Sequence, residues 1–357
     1  MRDWRRDRRT RRSGGTGGLA AAVMAVGLWI GVQPAAGQPA GAGTQGDGPA
    51  VALAHRQAHG HEILAEYAEL LRIPNVASDS AGIWRNAEFL RDRLEDLGVD
   101  ARLLTLPGAP PVVYGTLTVP GARRTLGVYV HYDGQPADPA NWTHDPWDPV
   151  LYDGDMAAGA RPIPYPADPA AVDPEWRIYA RSAGDDKAPL GALLPVLESF
   201  REGGVTPTSN LVFFFEGEEE AGSPNLRTFL QRYRELLDPV DLWLFFDGPM
   251  HQSGRPQLTF GVRGTTGVEV TVFGAARSLH SGHYGNWAPD TPLVLAELLR
   301  SMKDPYTGEV LVDGWYDSAA PLSSEAEAAI AGVPPVEEDL MRELGILWTE
   351  GEGESLA

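Results

Sequence analysis

Cysteine is absent from the 357-residue chain. That excludes disulfides and any thiolate-held metal, and leaves histidine and carboxylate as donors for hard or borderline cations. Positive charge is also scarce. Lys and Arg number 29 against 49 Asp and Glu, a formal net charge of −20, which argues against nucleic acid as the main partner. No repeat of solenoid or propeller period recurs. The apolar run at 19–32 is short for a membrane span, and no histidine follows His283.

The N-terminus carries Arg2, Arg5, Arg6, Arg8, Arg9, Arg11 and Arg12, then that apolar run, then Ala35, Ala36 and Gly37. A basic region, an apolar core and a small-residue site predict an export signal over 1–37. The mature protein is expected to be periplasmic or secreted, with no stable membrane span. Residues 38–55 begin rich in Gly, Ala and Pro and read as a flexible lead-in.

Apolar spacing predicts helices over 62–71, 84–97, 190–200, 226–237 and 289–302. Strands are predicted over 101–106, 112–119, 125–130, 211–215 and 242–246. Residues 134–176 read as a long irregular loop. Helices alternating with apolar strands predict an α/β fold: a mostly parallel sheet flanked by helices. Residues 267–273 alternate as a half-exposed strand would, so 56–260 reads as a catalytic domain. Residues 261–357 read as part of a smaller α+β lid or dimerisation domain.

The stretch 210–223 is the most informative. A run of apolar residues at 211–215 ends in Glu216, Glu218, Glu219 and Glu220. Anions crowded at the end of a buried strand repel one another unless a cation or protons offset them. An acidic, solvated turn is the plainer alternative for this stretch alone. Two further strands end in potential ligands, His131 with Asp133 and Asp247, and the turn holding Asp185 and Asp186 precedes a helix. In open α/β sheets the crevice beyond the carboxyl ends of the strands is the binding site. One imidazole and several acids delivered there suit a two-metal hydrolase.

The motifs His131-Tyr132-Asp133-Gly134-Gln135-Pro136, Arg181 to Lys187, Glu216-Gly217-Glu218-Glu219-Glu220, Asp247 and His280-Ser281-Gly282 occur in that order. In this they resemble the co-catalytic zinc family of aminoacylases, carboxypeptidases and carnosinase-like dipeptidases, most closely its dipeptidase branch. The resemblance implies two zinc ions per subunit, with Mn or Co as substitutes. It implies that His131 and Asp247 hold one ion, that Glu220 holds the other, and that Asp185 bridges them through a cis peptide to Asp186. Asp133 would orient His131, Glu219 would act as general base, and His280 would reach across a homodimer to the oxyanion. The implied substrate is a small peptide or N-acyl amino acid. The family has a further metal-binding histidine after its smaller domain, and none occurs here. The expectation is therefore a C-terminally truncated member with an incomplete second metal site. The alternative is a non-catalytic homologue that binds divalent metal without turnover.

Overall fold

A computed structural model describes residues 47–352, apart from 169–171, 249, 252, 254, 256, 263 and 265. The expected export signal lies outside the described residues. The first helix, α1 (Gly48–Leu71), starts where a flexible lead-in was expected. Asp47 caps it by accepting from the Ala50 amide, and Gly48 and Val51 pack against Phe200 and Gly203. That packing is why residues 48–55 are ordered as helix. Backbone angles leave the helical region at His59, where α1 bends. Next comes α2 (Ser80–Asp96), capped by Asp79 and ended by Gly98 at φ +85.

Strands β1 (Asp100–Leu104), β2 (Val112–Leu117) and β3 (Thr125–His131) follow. Residues 134–176, expected to be irregular, instead contribute two strands to a small antiparallel sheet: β4 (Val150–Tyr152) lies between β5 (Pro162–Ile163) and β6 (Arg177–Tyr179). Strands of two or three residues are too short for any periodicity to show in sequence. The chain continues through α3 (Lys187–Glu202), β7 (Asn210–Glu216), α4 (Leu226–Arg232), α5 (Arg234–Leu237) and β8 (Leu242–Phe245). The single helix expected over 226–237 is thus divided at Tyr233.

The main sheet has the order β1-β2-β7-β3-β8. The fold is α/β with flanking helices, as expected, and the sheet is mixed. The three strands that carry the candidate ligands, β7, β3 and β8, are parallel to one another, while β2 pairs antiparallel with both β1 and β7. Alternate side chains of β7 enter two cores. Phe213 and Phe215 join Ile83, Leu90, Leu94 and Val130 on one face. Val212 and Phe214 join Leu104, Tyr129 and Phe229 on the other. Burial on both faces explains why β7 is an unbroken apolar run. At Gly127 of β3, the Trp243 indole of β8 lies where a Cβ would project.

After β8 come α6 (Ser281–Tyr284), α7 (Thr291–Met302), α8 (Ser324–Ala331) and α9 (Glu337–Leu344). The strand expected over 267–273 is not formed, and Val268 and Phe273 are exposed. A half-exposed strand needs a neighbour for its backbone groups, and none of the described residues pairs with it.

Because Phe213 is fully buried, Phe213→Ala should cost about 3–5 kcal/mol of stability. Phe260→Ala, at a side chain 96% exposed, should stay within about 0.5 kcal/mol. Urea denaturation of the full chain checks both.

Candidate metal centre

Strand register brings the ligands together. His131 of β3 lies opposite Glu216 of β7, and Tyr129 lies opposite Phe245 of β8. Two residues past that second pair are His131 and Asp247, at the same end of parallel neighbours. His131 is 1% exposed. Its Nε2 lies 3.0 Å from Asp185 Oδ1, 3.8 Å from Asp247 Oδ1 and 3.9 Å from Glu219 Oε2. One imidazole nitrogen therefore faces three carboxylates that arrive from three separate segments.

Asp133 holds this arrangement. Its side chain is wholly buried, and its two oxygens accept from the backbone amides of Glu219 and Glu220, each at 3.0 Å. The end of β3 is thereby tied to the turn after β7. The expected contact of Asp133 with His131 is present, but Nδ1 to Oδ1 is 3.4 Å. That is long for an N–H···O hydrogen bond, so the imidazole Nδ1 is buried without a formed partner.

The four carboxylates at the end of β7 have four destinations. Glu216 accepts from the Tyr129 hydroxyl at 2.7 Å. Glu218 accepts from the Asn225 amide and side chain. Glu219 faces His131. Glu220, the expected ligand of a second ion, accepts from Gln135 Nε2 at 2.8 Å and stands apart from the group around His131.

The adjacent acids Asp185 and Asp186 also diverge. Their peptide is cis, as the resemblance implies. The Asp185 side chain is 74% exposed but touches His131 Nε2. Asp186 is buried and accepts from the His131 amide at 3.2 Å. His131, Asp186 and Asp247 each offer a ligand atom within 4.8 Å of the others. Two neighbouring aspartates are indistinguishable by type, so the sequence does not show that Asp186 as well as Asp185 turns toward His131. Asn75 was missed altogether. Fully buried, it donates to Tyr132 O at 2.8 Å and to Ser182 Oγ at 2.9 Å, joining the His131 loop to the Asp185 turn. His280 does not join the group around His131. Its Nδ1 accepts from the Gly282 amide, and its ring lies against His283.

The electrostatics are those of a site short of positive charge. Burial raises the Asp186 carboxyl to about 8, against the opposing pull of His131. Burial likewise raises Glu219 and Asp247, again against the attraction of His131. For His131 burial favours the neutral ring, but Asp133, Asp186 and Asp247 outweigh it and lift the imidazole to about 9. One buried and several partly exposed carboxylates gathered around a single buried imidazole, whose other nitrogen is orphaned, fit a divalent cation by both charge and donor type.

The model of peptidase family M20/M25/M40 matches residues 127–339, more than half of the chain. The chain belongs to this family. Membership implies a divalent metal, and the His131 group at the strand ends is one group of the described residues that could hold one. Cys-Gly metallodipeptidase dug1 of Schizosaccharomyces pombe is 29% identical over 298 residues, 80% of this chain and 58% of its own length. Human Beta-Ala-His dipeptidase is 29% identical over 263 residues, 72% of this chain and 46% of its own. The chain thus spans about half the length of these relatives. Among solved structures, the M20 family metallo-carboxypeptidase Sso-CP2 from Sulfolobus solfataricus has a TM-score of 0.62 at 27% identity, over 82% of this chain and 61% of its own. Human carnosine dipeptidase 1 gives 0.59 at 23% identity, over 85% and 62%, a likeness of fold.

Asp133→Asn loses one of the two carboxylate acceptors that hold the Glu219–Glu220 turn, so zinc affinity should fall by about 10–100-fold, read by competition with a chromophoric chelator. Burial raises the Glu216 carboxyl, with the Tyr129 hydrogen bond opposing. The folded state holds this proton more tightly than the unfolded chain. Its contribution is complete below the ordinary carboxylate range and is lost as pH rises through the raised folded value. Glu216→Gln should therefore raise the Tm of metal-free protein by roughly 2–4 °C at about pH 8 and give no gain at about pH 4.

Proposed function

We propose that this protein is a metal-dependent hydrolase of peptide or N-acyl amide bonds in small substrates, a dipeptidase above all. The observation that carries this reading is His131 Nε2, at the carboxyl end of β3, within 4 Å of Asp247 beyond β8, Glu219 beyond β7 and Asp185 of the turn before α3. The names of the relatives, a Cys-Gly metallodipeptidase and a Beta-Ala-His dipeptidase, support a dipeptide substrate. His131 and Asp247 would hold one zinc ion, with Asp185 bridging to a second ion that Glu220 would hold once released from Gln135. A bound divalent ion supplies Lewis acidity, acidifying a water and polarising the scissile carbonyl.

Glu219 suits the general base. Its carboxylate is partly exposed and faces the site, and burial raises its proton affinity above that of an ordinary carboxylate. It takes the proton of the attacking water and returns it to the leaving amine. Asp133 fixes the backbone on which Glu219 stands and so acts by positioning. In this reading residues 261–357 form part of a lid through which two chains pair, His280 reaches the partner's site, and the mature protein is exported.

A second reading, metal binding without turnover, is favoured by one feature: the Glu220–Gln135 hydrogen bond keeps the second expected donor out of the group. Glu219→Gln separates the two. It should lower kcat on zinc-loaded protein by about 10²–10⁴-fold across a panel of dipeptides and N-acyl amino acids, with zinc affinity nearly unchanged. Equal turnover in the variant would refute the assigned base. Absence of zinc-dependent cleavage in the unaltered protein would favour the second reading.

A further inference from the structure

A second group of donors lies away from the His131 centre, where α1 and α3 pack side by side in opposite directions. His55 and His59 sit one helical turn apart on α1, and Glu202 ends α3. A ligand nitrogen of each imidazole and a carboxylate oxygen of Glu202 lie within 4.8 Å of one another. His55 Nδ1 is 3.3 Å from Glu202 Oε2. The two rings stack with centroids 4.6 Å apart, beside the bend of α1 at His59.

Three details separate this group from an ordinary surface ion pair. The His55 side chain is only 8% exposed, and its Nε2 is buried without a hydrogen-bond partner, 3.8 Å from Glu198 Oε2. A buried, unpartnered nitrogen is costly unless something completes it. Arg93 pairs with Glu198 at 2.8 Å, whereas among the described residues no Lys or Arg pairs with Glu202. The Glu62 carboxylate lies 2.6 Å from His59 Nδ1. In the tautomer that donates there, the Nε2 lone pair is free, the device by which carboxylates orient ligating histidines.

We propose that His55, His59 and Glu202 form a second, non-catalytic site for a borderline divalent cation such as Zn²⁺, which clamps the N-terminal half of α1 to the end of α3. Two imidazoles and one carboxylate select zinc and its transition-metal neighbours over calcium or magnesium. A cation here engages the His55 Nδ1 that faces Glu202 and offsets the Glu202 charge. The site does not depend on the reading of the His131 centre.

The test uses the full chain with that centre silenced by His131→Ala and Asp247→Ala. Calorimetric titration with Zn²⁺ near neutral pH should still show one tightly bound equivalent and a rise in Tm. Adding His55→Gln and His59→Gln should abolish both, with near-ultraviolet circular dichroism and metal-free Tm confirming that the chain stays folded. Cu²⁺ bound to the silenced protein should show electron paramagnetic resonance couplings from two imidazole nitrogens, lost in the same variant. The converse variant, His55→Gln with His59→Gln in an otherwise unaltered chain, should bind one equivalent fewer than the parent. The proposal is overturned if the silenced protein binds no zinc, or if replacing both histidines leaves the stoichiometry unchanged.

Discussion

The two hydrogen bonds accepted by the buried Asp133 carboxylate are the constraint on which the site rests. Parallel pairing aligns β3 with β7, but pairing ends at His131 and Glu216, and the reactive groups lie beyond it. Past that point each chain would be free to diverge. Asp133 prevents this by taking the amides of Glu219 and Glu220, so the turn after β7 is held to the loop after β3. Asn75 does the same for the Asp185 turn from the other side. The β-sheet supplies coarse alignment, and these buried polar residues supply the rest.

That arrangement crowds negative groups at the rim of the sheet, with Asp133 and Asp186 buried beneath the more exposed Asp185, Glu219 and Asp247. Asp186 at about 8 and His131 at about 9 show two ways in which the folded chain relieves the charge without metal: protons on carboxylates, and a proton on the imidazole. A divalent cation would displace both, since it binds the ionised acids and the neutral ring. The same logic of unmet donors and unbalanced charge reappears, on a smaller scale, between α1 and α3.

Much of the layout was legible in the residues. Strand ends marked by His131, Glu216 and Asp247 announce a shared crevice, because apolar runs that stop abruptly in acids deliver those acids to the carboxyl edge of the sheet. The helices at 84–97 and 289–302 were legible from their apolar period. The destinations of neighbouring acids were not. Asp185 and Asp186, or Glu218, Glu219 and Glu220, differ only in which way a tight turn directs them, and their partners are as different as the nearby Asn225 for Glu218 and the remote Gln135 for Glu220. Nor could composition reveal that residues 48–55 are helical, since their order comes from packing on α3. The 267–273 segment failed for the opposite reason: its pattern is right, but no neighbouring strand among the described residues receives it.

The bare backbone at Gly127 leaves its mark on the face of the sheet. The Trp243 indole folds across from β8 into the space that a Cβ would take. Any side chain there would evict the ring from its berth, while the hydrogen-bond ladder keeps the two strands at their spacing. Beneath the metal-facing edge, β3 and β8 are thus roofed by one aromatic ring where the chain omits an atom.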